Sequence, residues 1–139
     1  MRVLLAVTFL LASSSWCGTP AAAKPTEEPV DAYLAFVRSV RKGDVKQAYG
    51  QLSTDTRTLL EKRAEEVSGA SGGALKKDPM ALFFTGSPRH GADVNEVKLV
   101  NRTDTRATVN AKAGEQEKVI TLVKEADGWK VDLTEQLRQ

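Results

Sequence analysis

The sequence predicts an α+β domain in which N-terminal helices pack on one face of an antiparallel four-stranded meander. Up to about residue 84, apolar side chains recur three or four positions apart, which is typical of amphipathic helices. After Gly91 they alternate with polar side chains, which is typical of strands with one solvated face. The chain has 139 residues, a length that suits one folded domain.

The first residues have the layout of a secretory signal peptide. In MRVLLAVTFLLASSS, one arginine precedes an apolar run, and small polar residues follow it. The run is shorter than the roughly 20 apolar residues that a membrane-spanning helix needs. We therefore expect export, with residues 1–17 as the signal peptide, 18–28 as a flexible spacer and 29–139 as the folded domain.

Cys17 is the only cysteine, and two fates are open for it. LLASSSWC is similar to the end of a bacterial lipoprotein signal, in which the cysteine is acylated and becomes the mature N-terminus. Trp16 stands where that pattern has a small residue, so the alternative is ordinary cleavage after Ala23, which would discard Cys17. The spacer TPAAAKPTEEP favours the lipid anchor, because a flexible tether is useful to a chain held at one end. This anchor would be the only contact with a membrane.

Local signals divide the helical part into separate helices. Pro29 suits a first helical turn, and Gly43 can adopt the left-handed conformation that ends a helix. Asp44 suits the N-cap of a short second helix, and a third helix starts near residues 53–55. The apolar side chains of these helices are Val30, Tyr33, Leu34, Phe36, Val37, Val40, Val45, Ala48, Tyr49, Leu52, Leu59, Leu60, Ala64 and Val67.

A loop and a short fourth helix complete the helical part. The loop SGASGG, residues 68–73, lacks the Gly-Lys of a phosphate-binding P-loop. After it, Asp78 and Pro79 predict a capped helix start. This helix is expected to place four side chains in the core, namely Met80, Leu82, Phe83 and Phe84.

The third of the four predicted strands has apolar residues on both faces, so turn length must decide its orientation. Three-residue hairpin loops at residues 102–104, 114–116 and 126–128 would put odd-numbered residues on one face throughout. The inward residues would then be Val97, Leu99, Ala107, Val109, Ala111, Val119, Thr121, Val123, Trp129, Val131 and Leu133. Ile120 and Leu122 would lie on the outer face as candidates for a protein interface, for example in a homodimer; the alternative is that a terminal segment or bulge covers them.

Composition argues against several classes of site. The chain has 20 Lys and Arg residues against 18 Asp and Glu residues, and no cationic stripe, so nucleic acid is not an expected partner. His90 is the only histidine, and a surface loop position is expected for it. One histidine without a retained cysteine cannot form a zinc site, so we expect no metal and no cofactor.

Two segments resemble the NTF2-like (cystatin-like α+β) superfamily, and specifically its small bacterial envelope proteins. They are AFVRSVRKGDVKQAYGQLS in the helical part and VITLVKEADGWKVDL at the end, so that the likeness covers residues 29–137. The resemblance implies a cone in which a curved sheet wraps a long helix and encloses a pocket. The candidates for lining it are Tyr33, Phe36, Tyr49, Phe83, Phe84 and Trp129.

The expected function follows from the leader, the pocket and the missing catalytic groups. Isomerases of the superfamily use a carboxylate base, and no carboxylate falls at a predicted inward strand position. We therefore expect a non-catalytic envelope domain that binds a small apolar ligand or a protein partner. The alternatives are a pocket enzyme of isomerase or dehydratase type, and a structural subunit that self-associates through the outer sheet face.

Overall fold

The computed structural model describes residues 28–86 and 93–139. Within them, helices come first and a four-stranded antiparallel sheet follows, so the predicted α+β class is confirmed. The predicted signal peptide, Cys17 and His90 lie outside these residues. The elements are α1 (Pro29–Lys42), α2 (Val45–Gly50), α3 (Thr54–Ala70), α4 (Pro79–Gly86), β1 (Glu96–Arg102), β2 (Arg106–Ala113), β3 (Gln116–Glu125), β4 (Gly128–Asp132) and α5 (Thr134–Arg138).

The helix boundaries agree with the predicted capping signals. Gly43 ends α1 with a φ of 70°, in the left-handed region that glycine adopts without strain. The Asp44 carboxylate accepts a hydrogen bond of 3.0 Å from the Gln47 N–H and caps α2. Ser53 does the same for α3, because its hydroxyl accepts from the Thr56 N–H at 3.1 Å. Among the described residues, no helix combines the length and the apolar character that a bilayer crossing requires.

The segment between α2 and α3 pairs with the free edge of β4. Leu52 and Val131 form a short parallel bridge. The Ser53 N–H donates to the Val131 carbonyl at 2.8 Å, and the Val131 N–H donates to the Gln51 carbonyl at 2.9 Å. Because these groups are satisfied, the edge of β4 is covered by the chain itself.

A buried polar network ties the start of α3 to the end of β4. The Thr56 hydroxyl accepts hydrogen bonds from the Ser53 hydroxyl at 2.8 Å and the Leu133 N–H at 2.9 Å. It donates to the Asp132 carboxylate at 3.2 Å, and Thr134 adds two donors to that carboxylate. Asp132 is only 9% exposed, so these donors replace the water that its charge has lost.

The sheet has the order β1-β2-β3-β4, and the predicted orientation of β3 is wrong. Ala107 pairs with Leu122, and Val109 pairs with Ile120. Ile120 and Leu122 therefore face the helices and are 5% and 0% exposed, whereas Val119 points outward and is 61% exposed. The prediction of an outer-face interface at Ile120 and Leu122 is wrong for the same reason.

Turn length explains the reversed strand. The closing pair Ala113–Gln116 leaves a two-residue turn before β3, and the pair Glu125–Gly128 leaves another after it. Each turn is one residue shorter than predicted, so the two errors cancel, and Trp129 and Val131 still face inward as expected. Lys124 lies opposite Trp129. It is exposed at the end of the inner face, so its charge stays in water.

The core lies between α1 and the inner face of the sheet. Phe36 and Val37 of α1 are each 1% exposed, and Val109 and Val131 from the sheet are fully buried. Helix α1 contacts β1, β2 and β4. Burial of apolar surface between these two layers is the main stabilising contribution to the fold.

The corrected orientation of β3 can be tested with two adjacent residues. We expect Ile120→Ala to lower the free energy of unfolding by about 3 kcal/mol, because it opens a cavity in the core. Val119→Ala should change it by less than about 0.5 kcal/mol, because that side chain lies in solvent. Urea denaturation of the two variants and the unaltered protein measures both values. A larger loss for Val119→Ala would show that the odd-numbered face is buried after all.

Candidate ligand-binding site

A cavity of about 260 Å³ lies between α1 and the inner face of the sheet. Helix α1 provides aromatic rings to it, and the strands provide aliphatic side chains. This apolar part of the lining comprises Tyr33, Phe36, Val94, Ala111, Ala113, Ile120 and Leu133. The Arg41 guanidinium donates a hydrogen bond to the Val94 carbonyl and so connects the end of α1 to the segment before β1.

The cavity forms where small side chains of β2 lie opposite aromatic side chains of α1. Ala111 and Ala113 lie two residues apart on β2, so both point to the inner face. They oppose Tyr33 and Phe36, whose ring centroids are 6.1 Å apart with an interplanar angle of 27°. Each alanine leaves out the carbon atoms with which a larger residue would fill the layer, and the gap between helix and sheet remains open.

Polar groups surround the apolar lining. Asp93, Gln116 and Lys118 also line the cavity, and all three are exposed. Tyr33 is 4% exposed, and burial raises the pKa of its phenol to about 12. Its hydroxyl therefore stays protonated at neutral pH and can donate a hydrogen bond to a ligand.

Two predicted pocket residues, Tyr33 and Phe36, lie in this cavity together. Phe83 lines a second cavity of about 390 Å³ instead, between α3, α4 and α5. Phe84 packs edge-to-face against Phe83, with ring centroids 4.9 Å apart. Neither Phe84 nor Tyr49 is among the described residues that line either cavity.

Tyr49 and Trp129 are not among the described residues that line the two cavities. Tyr49 is half-buried, and burial, followed by the nearby Glu61 carboxylate, raises the pKa of its phenol. Trp129 is 4% exposed, and the Arg102 guanidinium and Lys124 ammonium lie 5.6 and 6.0 Å from its ring centroid. These cations cover the indole face and favour a packing role for Trp129.

Several cavity residues were missed as site residues by the sequence analysis. Ala111 was expected to face inward, and an alanine pair on a strand opposite an aromatic helix is a usable signal for a gap. Gln116 and Lys118 carried no such signal, because their place depends on the orientation of β3. Asp93 and Val94 precede β1, in a segment with neither the helical spacing of apolar residues nor the alternation of a strand.

Asp93 is the one carboxylate among the described residues of the cavity, and it is exposed. Glu96 and Asp127 have carboxyl pKa values that hydrogen bonds from Lys98 and Lys130 lower, as expected for surface ion pairs. In the ranges 28–86 and 93–139, no three His, Cys, Asp or Glu side chains come together as a metal site.

No known protein family, curated protein or solved structure matches this chain. The resemblance to the NTF2-like superfamily therefore stays a prediction.

Burial of Tyr33 predicts a loss of stability at alkaline pH. The phenol pKa is about 12 in the folded chain against 10.0 for the unperturbed group, so its contribution is complete below pH 10 and is lost as the pH rises towards 12. We expect the free energy of unfolding to fall by about 2 kcal/mol more in the unaltered protein than in Tyr33→Phe between pH 9 and 11.5. Urea denaturation at both pH values measures the difference. Equal losses would show that Tyr33 ionises in the folded state as it does in the unfolded chain.

Proposed function

We propose that this protein is an exported, non-catalytic cell-envelope domain that binds a small apolar ligand in the cavity between α1 and the sheet. The observation that carries the proposal is a space of about 260 Å³ with an aromatic and aliphatic lining at a helix–sheet boundary. Pockets that are mostly apolar with a few polar groups are typical of small-molecule sites. A domain with the architecture of the NTF2-like superfamily would bind its ligand in the same region.

The size of the cavity limits the ligand. Ligand pockets commonly measure about 300–1,000 Å³, and this cavity of about 260 Å³ lies just below that range. A fused pair of aromatic rings or a short acyl chain is a suitable occupant. For a ligand of this size, contact with an apolar lining supports a dissociation constant on the order of 10–100 µM.

The polar groups favour binding over catalysis. A pocket enzyme of isomerase type needs a carboxylate base held away from water. Asp93 is exposed, and Tyr33 with its raised pKa is a weak acid that donates a hydrogen bond more readily than it exchanges a proton. Self-association through the outer face of the sheet is not proposed, because Ile120 and Leu122, the residues expected to form that interface, are buried.

Filling the cavity should weaken ligand binding while the fold is retained. Ala113 is half-buried where it lines the cavity, so leucine can occupy the free space there without displacing the core. We expect Ala113→Leu to raise the dissociation constant of 1-naphthol, measured by fluorescence titration, by about tenfold or more.

Thr108→Leu is the matched control, because Thr108 is half-buried on the outer face of the same strand. It should bind 1-naphthol as the unaltered protein does, and thermal unfolding should show both variants folded. Unchanged affinity in a folded Ala113→Leu variant would place the ligand elsewhere and reject this site.

Export is tested on the mature chain. The full sequence should be expressed in a bacterium, and the isolated protein analysed by mass spectrometry. We expect an N-terminus at an acylated Cys17 or, with ordinary cleavage, at Lys24. Either result supports export, and the two masses distinguish an anchored from a released domain. A chain that still begins with the leader sequence would contradict export.

A further inference from the structure

Lys118 is a cation held on the apolar side of the sheet. It pairs with Ala111 across β2 and β3 and shares its face of β3 with Ile120 and Leu122, which are both buried. The backbone ladder therefore fixes its direction: the stem runs along the inner face, and the side chain lines the cavity. Its exposure keeps the ammonium group in contact with water.

Among the described residues, no neighbouring carboxylate neutralises the charge of Lys118. Within residues 28–86 and 93–139, no carboxylate oxygen lies within 4.0 Å of its nitrogen. The situation differs for Lys98 and Lys130, whose nitrogens each lie 2.8 Å from a carboxylate. The Lys118 ammonium group can therefore exchange its hydrogen bonds to water for hydrogen bonds to a ligand.

Other hydrogen-bond donors border the same space. Tyr33 contributes a phenol that stays protonated, and Gln116 contributes a side-chain amide. From the charge of Lys118 and these donors beside an apolar lining, we infer that the ligand is a small free monocarboxylic acid. Its apolar body occupies the cavity, and its carboxylate points outward to the Lys118 ammonium. This inference rests on the proposed function of the cavity and names its ligand class.

Asp93 is the competing feature, because it lines the same cavity with the opposite charge. It lies in a turn ahead of β1, whereas Lys118 lies within a strand whose direction the ladder fixes. The negative charge of Asp93 would weaken the binding of a ligand carboxylate beside Lys118. Removal of the Asp93 charge should therefore strengthen binding of a carboxylate or leave it unchanged.

Three naphthalene ligands of similar size and different charge test the inference: 1-naphthoate, neutral 1-naphthol and the 1-naphthylmethylammonium cation. At pH 7 and low ionic strength, we expect the unaltered protein to bind naphthoate about fivefold more tightly than naphthol, and the cation most weakly. The preference should shrink as salt is added, because the ion pair is exposed.

The variant Lys118→Gln should lose the preference for naphthoate while its affinity for naphthol stays unchanged. Lys112→Gln is the matched control, because Lys112 is the neighbour of Ala111 on the outer face and its loss changes the net charge equally. It should keep the preference. Asp93→Asn should bind naphthoate at least as tightly as the unaltered protein.

The possible failures are distinguishable. If naphthol binds as tightly as naphthoate, or if Lys118→Gln weakens all three ligands alike, the carboxylate inference is overturned and the cavity proposal stands. Preferred binding of the cation, lost in Asp93→Asn, also overturns it. If none of the three ligands binds, both proposals fail.

Discussion

The arrangement of the helices against the sheet depends on the hydrogen bonds of the Thr56 hydroxyl. This hydroxyl connects the first turn of α3 to the Asp132 carboxylate and to the Leu133 N–H, where the sheet ends. Since Asp132 is nearly buried, an alternative packing that removed these donors would leave a charge without solvation. The network therefore favours one position of the helices along β4, and the parallel bridge between Leu52 and Val131 reinforces it.

The cavity follows from this position and from the choice of side chains. Helix α1 lies over the inner face, with Tyr33 and Phe36 opposite a strand that carries alanines. The large rings keep the helix away from the sheet, and the alanines do not fill the distance. The lining combines apolar carbon with a few hydrogen-bond donors, and it contains a single exposed carboxylate among its described residues. This combination supports the proposed role in binding a small molecule.

Much of the fold could be predicted because its signals are local. Helical periodicity, the Asp44 cap and the left-handed Gly43 act within a few residues, and the strands with one apolar face could be oriented directly. The face of β3 could not, because Val119 and Ile120 are both apolar and only turn length distinguishes them. The site shows the same division: Tyr33 and Phe36 were identified from their helix, whereas Lys118 became visible only with the correct register.

The two edges of the sheet differ in how readily a strand of another chain could pair with them. The edge of β4 is occupied by the segment that contains Leu52, so among the described residues the ladder can be extended only beyond β1. There, a bulge between Leu99 and Asn101 interrupts the regular spacing, and Lys98 projects into water. Edge-to-edge polymerisation needs a flat strand with an even row of free amides, and β1 does not offer one. The ladder is thus occupied at Val131 on one edge and irregular on the other, where Leu99 and Val100 expose apolar side chains to water.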